Sequence, residues 1–298
     1  MKTENNHEYS KLSKRAVQAA VAVSFLLLLA KYVAWHFSGS ATLLSSLTDS
    51  SLDLSASIFS FIVLIYALRP ADDDHRFGHG KAEGLAALFQ SGIVLAAGLA
   101  VLFQSVSRLI NPEPLRESTT AIGVMIISLI LTGALVWYQG SVYRKTNSLV
   151  VKADRAHYMA DLLANTGAIL ALIAEVSGIH YADAIGGIVV SLLILNGARE
   201  VFSHAADMLL DHELADEYLV RFDELAKMDS QIQAYHDLKT RQSGRTIFFQ
   251  VHLELDGSLS LTEAHEIADG LESRVKNEWP ESECLVHMDP KEIHNKLG

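Results

Sequence analysis

Six stretches of the chain are apolar over about the length that crosses a bilayer: Ala16–Phe37, Thr42–Leu68, Leu85–Ile110, Thr119–Tyr143, Leu149–Ser177 and Ala182–Leu210. About 20 apolar residues in a helix span the hydrocarbon core. Inside it every backbone polar group must be satisfied within its own segment, which helices do. The pattern therefore predicts a membrane α-helical bundle with six transmembrane helices, occupying residues 1–210. The short links "SGSA" and "GIHY" make hairpins of the first two spans and of the last two.

Basic residues set the orientation, because cytoplasmic loops carry an excess of Lys and Arg. Lys2, Lys11, Lys14 and Arg15 precede the first span. Arg69, Arg76 and Lys81 lie between the second and third, and Arg144, Lys145, Lys152 and Arg155 around the fourth-to-fifth link. The intervening links have only Arg116 and, near a helix end, Arg108. Both termini are expected on the cytosolic side. The polar N-terminus, followed by a long apolar run, is expected not to be a cleavable signal peptide. Lys31, near the outer end of the first span, is expected to snorkel toward the interface.

Residues 211–298 change character. From Leu209 onward the chain has 19 Asp and Glu against nine Lys and Arg, which accounts for nearly all of the net charge of −11. Nucleic-acid binding needs clustered positive charge and is excluded as a role for this region. "EYLVRFDELAKM" has a helical period. "IQAYHDLKTR" and "TIFFQVHLEL" alternate as strands about the turn "QSGR". "LTEAHEIADGLESRVKNEW" is helical again, and "ECLVHMD" is a last strand. The order αββαβ predicts a cytosolic α+β domain with helices on one face of a sheet. The single cysteine, Cys284, allows neither an intrachain disulfide framework nor a thiolate cluster.

The second span interrupts its apolar run with Asp49 and Asp53, four residues apart and on one helix face. The fifth repeats the spacing with His157 and Asp161. Ionisable groups within a membrane are costly and face a bundle interior or an aqueous cavity. Two such pairs offer three carboxylates and an imidazole, a donor set suited to a tetrahedral divalent cation whose charge offsets theirs. The competing reading is a polar seam, with carboxylates protonated or bonded to Ser46, Ser50 or Asn165. Counted from the outer helix ends, Asp53 lies roughly 18 Å and Asp161 roughly 24 Å deep, an agreement to within about a turn.

A second candidate site lies in "RPADDDHRFGHGKAEG", where Asp72, His75 and His79 share a short loop with Gly78 and Gly80. The alternative is a solvated loop whose Asp residues cap the next helix. A third draws on the C-terminal strands and helix. His236 and His252 fall on consecutive strands, His287 and Asp289 share a face of the last, and His265 lies on the polar side of the second helix. The alternative there is scattered surface histidine. His7, His36, His180, His204, His212 and His294 have no evident partners and are read as structural. There is no HExxH and no Walker loop, so any pumping is expected to draw on an ion gradient.

Together, the six spans, the DxxxD and HxxxD pairs, "DDDHRFGHGKAEGLAAL", and "HDLKTRQSG" with "VHLEL" resemble the cation diffusion facilitator family over essentially the whole chain. The resemblance implies a proton-coupled exporter in a bacterial inner membrane, working as a homodimer with metallochaperone-like C-terminal domains. By position it implies a transport site at Asp49, Asp53, His157 and Asp161, and a loop site at Asp72, His75 and His79. It also implies a binuclear site using His236, His252, His265, His287 and Asp289. Lys81 and Asp211 match a pair that ties two protomers together. Met288 departs from the pattern, standing where close relatives are expected to have Gln, and its thioether is a poor zinc ligand. The expected function is efflux of Zn²⁺, or of Fe²⁺ or Cd²⁺, in exchange for protons by alternating access, with Zn²⁺ also bound in the cytosolic domain. His157 is the expected proton carrier, since its reference pKa lies nearest neutrality. Rival readings are a metal channel and a membrane-anchored metal sensor. A hydrolase is disfavoured, because four protein ligands leave a metal no open position, and the chain is expected not to be an enzyme.

Overall fold

The computed structural model describes residues 2–39, 41–111, 119–177 and 181–291. Six long helices come first: α1 (Lys2–Ser38), α2 (Ala41–Ala67), α3 (Lys81–Ile110), α4 (Thr119–Thr146), α5 (Leu149–Val176) and α6 (Ala182–Leu209). All six are long and apolar enough to cross a membrane. The order continues α7 (Asp216–Lys227), β1 (Ala234–Ser243), β2 (Thr246–Leu255), α8 (Leu261–Glu278) and β3 (Ser282–Pro290), as the αββαβ reading requires. His180 and His294 lie outside the described residues. The chain divides into two compact units between Ala206 and Asp207.

Polarity in the first unit is inverted relative to a water-soluble protein. Phe25, Phe37, Ile62, Phe103 and Trp137 are exposed, while Ser13, Ser57, Ser60, Gln90, Gln139 and Asp154 are buried. That distribution suits a lipid surround, in which apolar side chains face outward and polar ones must find partners inside. α1 begins well before its apolar run. Its first turns are polar, and Tyr9 and Ser13 are buried. Ala16, Val17, Leu64, Ala86, Val142, Val150 and Val151 form a shared core of the first five helices. α3 and α6 approach closely, since a Cβ on Gly98 would lie 3.0 Å from Leu195 and one on Gly187 would collide with the Ser105 hydroxyl.

In the second unit the sheet runs β1-β2-β3, with β1 antiparallel and β3 parallel to β2. α8 makes the crossover that a parallel pair needs. It starts at a capping box, Ser260 with Glu263. Ile267, Leu271 and Val275 of α8, with Phe222 and Leu225 of α7, cover Phe249, Val251 and Leu253 on one face of β2. Phe249 stacks between Phe222 and Trp279, at ring separations of 5.4 and 5.0 Å. The alternate residues of β2, including His252, face the other side.

Candidate metal centres

α2 and α5 bring three of the four intramembrane side chains together. The Nε2 of His157 is 3.2 Å from the Asp53 carboxylate and 3.8 Å from that of Asp161. Potential ligand atoms of all three lie within 4.8 Å of one another. Asp49, one turn earlier on α2, stays outside this group and is exposed. Among the described residues, two of the bonds that the polar-seam alternative names are not made: the Ser50 hydroxyl is buried without a hydrogen-bond partner, and the Asn165 amide donates to the backbone carbonyl of Asp161, not to its carboxylate. The edge of the Tyr158 ring packs on His157, and the Tyr158 hydroxyl is held by Ser57 at 2.6 Å.

The Lys31 ammonium donates to the Ser46 carbonyl of α2 at 3.3 Å, close to the α1–α2 hairpin.

The loop after α2 closes on itself. One oxygen of Asp72 accepts the backbone N–H groups of Asp74 and His75. The N–H of His75, foremost, holds this carboxyl below the usual carboxylate range, with the charges of His79 and His75 adding to the effect. The Nε2 of His79 is 3.4 Å and the Nδ1 of His75 3.5 Å from the Asp72 carboxylate. The His79 ring is buried beside Tyr66, with Nδ1 3.2 Å from the Pro70 carbonyl. A carbonyl only accepts, so this contact puts a proton on Nδ1. Gly78 takes a positive φ of 77°, which turns the chain back toward His79. The Asp residues do not cap α3, whose N-cap is Gly80 with no side-chain bond.

On the open face of the C-terminal sheet, register does the gathering. His236, His252 and His287 are paired across the three strands, one imidazole per strand in a single row. Adjacent ring centres are 5.2 and 4.6 Å apart. Asp289 approaches all three, at 2.9 Å from His252, 3.2 Å from His287 and 3.5 Å from His236. Partial burial raises its pKa. The hydrogen bond from His252 and the charges of the three rings outweigh this, so the carboxyl sits below its ordinary value. A bulge after His236, with Asp237 at φ 51°, restarts the alternation of β1 at Lys239. Met288, between His287 and Asp289, points the other way and packs into the helical core. His265 lies on α8, in the layer behind the sheet, paired with Asp269 at 3.6 Å. A single chain therefore gathers His236, His252, His287 and Asp289 but not His265. Imidazole nitrogens with a carboxylate form a donor set that fits a borderline divalent ion.

The family profile "Cation efflux transmembrane domain" matches residues 17–210, and "Cation efflux protein, cytoplasmic domain" matches residues 214–291. A "Cation-efflux pump FieF" from Shewanella oneidensis is 42% identical over 286 residues, covering 96% of this chain and 97% of its own. Proteins of the same name from Salmonella paratyphi A and Cronobacter sakazakii are 40% and 39% identical over 293 and 285 residues. They cover 98% and 96% of this chain, and 98% and 95% of their own lengths. The chain belongs to the cation efflux family. It is a multi-pass membrane protein of a transporter family, with the six-helix and αββαβ architecture expected above.

Two further buried carboxylates in this cation efflux protein escaped the sequence reading. Asp154, one turn before His157, is completely buried. It accepts from the Gln139 amide at 2.6 Å and the Gln90 amide at 3.4 Å, and Gln90 in turn accepts from Ser60. Glu83 accepts from Tyr9 at 2.6 Å, Ser148 at 2.8 Å and the Leu149 backbone N–H at 3.1 Å. Both lie near helix ends rich in charge, where nothing local separates a buried carboxylate from a solvated one. The available signal was an amide or acid on an otherwise apolar helix face, as at Gln90 and Asp154.

Proposed function

We propose that this protein is a Zn²⁺/H⁺ antiporter that exports the cation from the cytosol, with Fe²⁺ and Cd²⁺ as chemically similar cargoes. The observation that carries the reading is the meeting of Asp53, His157 and Asp161 between two membrane helices, all within 4.8 Å. An imidazole with carboxylates combines a borderline nitrogen with hard oxygens, which suits these ions. Asp49, on the same α2 face, is the fourth ligand in this reading. The His157 Nε2 faces both carboxylates and cannot hold a proton and a metal together. Loading therefore releases a proton and reprotonation expels the cation. Rocking of helices exposes the site to each side in turn.

In this reading residues 1–210 form the transmembrane domain and 211–298 a cytosolic domain, in a bacterial cytoplasmic membrane with both termini inside. Asp72, His75 and His79 form a loop site on the cytosolic side. His236, His252, His287 and Asp289 hold ions at the C-terminal domain, and His265 joins them from a second copy in a homodimer. A bound divalent ion supplies positive charge where two acidic domains meet, favouring the dimer by mass action.

The test is flux in proteoliposomes across a panel of metals under an imposed pH gradient. Zn²⁺ uptake with opposing proton movement is expected, lost in Asp53→Ala and Asp161→Ala proteins that remain folded. Metal flux without proton counterflow would make the protein a channel. Absence of flux would favour the sensor reading, and normal transport by either variant would remove the site assignment.

A further inference from the structure

Lys31 is a cation built into a structure that handles cations, and its position relative to the site is specific. Its nitrogen is fixed 3.3 Å from the Ser46 carbonyl. Ser46, Asp49 and Asp53 are spaced three and four residues apart, so they share one face of α2. The ammonium is thus held at the level of Ser46 on α2. It is displaced toward the α1–α2 hairpin by about 10 Å of helix rise from Asp53. Electrostatically it acts on Asp53, Asp161 and Asp49. Among the described residues it makes no ion pair with any of them, so its charge is not cancelled by a partner and remains on the hairpin side of the triad. The loop holding Asp72, His75 and His79 leaves the other end of α2. Fixed charges lining a narrow path act as barriers to ions of like sign, strongly so where water is scarce.

We propose that Lys31 is an electrostatic gate on the hairpin side of the transport site, which opposes entry of a divalent cation from that side and loosens the hold of the loaded site. The proposal rests on the transport reading above. When the site is empty, the ammonium offsets part of the mutual repulsion of the three carboxylates. When a cation arrives, the repulsion weakens its binding. A cation approaching from the hairpin side must pass the same charge before it reaches any ligand. Lys31 is then a positioning charge that tunes affinity and back-flow without touching the cargo.

Three substitutions separate charge from structure. Lys31→Gln keeps a donor for the Ser46 carbonyl and removes the charge. Lys31→Met removes both, and Lys31→Arg retains both. The readouts, in proteoliposomes, are the KM and maximal rate for Zn²⁺ presented on the loop side. A third is reverse flux with Zn²⁺ on the hairpin side and no pH gradient. Lys31→Gln is expected to lower KM at least fivefold, lower the maximal rate by a similar factor, and raise reverse flux at least fivefold. Lys31→Arg is expected to reverse these changes. If Lys31→Met fails to fold, the Gln and Arg proteins still decide. A Gln protein with wild-type KM, rate and reverse flux would overturn the proposal, leaving the lysine only a hydrogen bond between helices. So would an Arg protein as altered as the Gln protein. Normal transport by Asp53→Ala would overturn the underlying transport reading, and with it this one.

Discussion

Glu83→Ala tests how the helix carrying His157 and Asp161 is held. Glu83 is 3% exposed and its carboxylate is shared by three donors: Tyr9 on α1, Ser148 just before α5, and the backbone N–H of Leu149 at the start of α5. A side chain of α3 therefore caps α5 from outside and binds α1 to the same point. Alanine leaves those donors buried without this acceptor, at about 1–3 kcal/mol each. The gross cost is about 3–9 kcal/mol, of which relief of a desolvated carboxylate returns part. The expected net loss is about 3 kcal/mol, the low end of that range. His157 lies about 12 Å along the helix from the cap, so loosening the first turn of α5 also displaces the metal triad. Glu83→Ala should melt several degrees lower in detergent, followed by fluorescence-detected size exclusion after heating. It should also lose at least tenfold in Zn²⁺ flux although every ligand is intact. Glu83→Gln keeps one acceptor oxygen and should fall between the two. Wild-type melting and wild-type flux in Glu83→Ala would refute the argument that this carboxylate positions α5.

His157→Asp, which makes the intramembrane site all oxygen, should shift metal preference from Zn²⁺ toward Mn²⁺ or Cd²⁺ and move the pH dependence of flux lower. A carboxylate's reference pKa is about two units below that of imidazole, and initial rates for each metal from about pH 5.5 to 8 check both. The Cys284 thiol is pushed up to about 12 by burial, with the charge of Glu272 adding to it. In the folded protein it should resist maleimide at pH 7 while reacting within minutes in denaturant, and rapid native labelling by mass shift would contradict this. Arg221 donates to Glu278 at 2.9 Å, linking α7 and α8, and holds that carboxyl below its ordinary value. A depressed carboxyl stabilises the fold above its unfolded pKa and loses that contribution as pH falls through the folded value. The melting point should therefore drop more between about pH 5 and 3 in the wild type than in Glu278→Gln, as differential scanning fluorimetry would record.

Local periodicity determined a good deal. Six apolar runs fixed six helices, because a bilayer leaves a chain of that composition no other backbone-satisfied form. Alternation marked the two strands of the hairpin, and a helical period marked α8. The i,i+4 pairs in α2 and α5 pointed to Asp53, His157 and Asp161, since helical spacing alone puts each pair on one face. The alternation of β3 also held the answer for Met288, which must face away from His287 and Asp289. What the sequence left open depends on partners far along the chain. Lys31 finds its acceptor in the Ser46 carbonyl, which α2 brings alongside. Asp154 and Glu83 can be buried because Gln139, Gln90, Tyr9 and Ser148 arrive from other helices. Asp49 and Asp53 share a face, yet only the packing of α5 decides that Asp53 meets His157 while Asp49 stays outside. His265 is set apart from the other C-terminal histidines by the layer its helix occupies. Spacing along a chain specifies which side chains share a face, and only packed neighbours specify what that face meets.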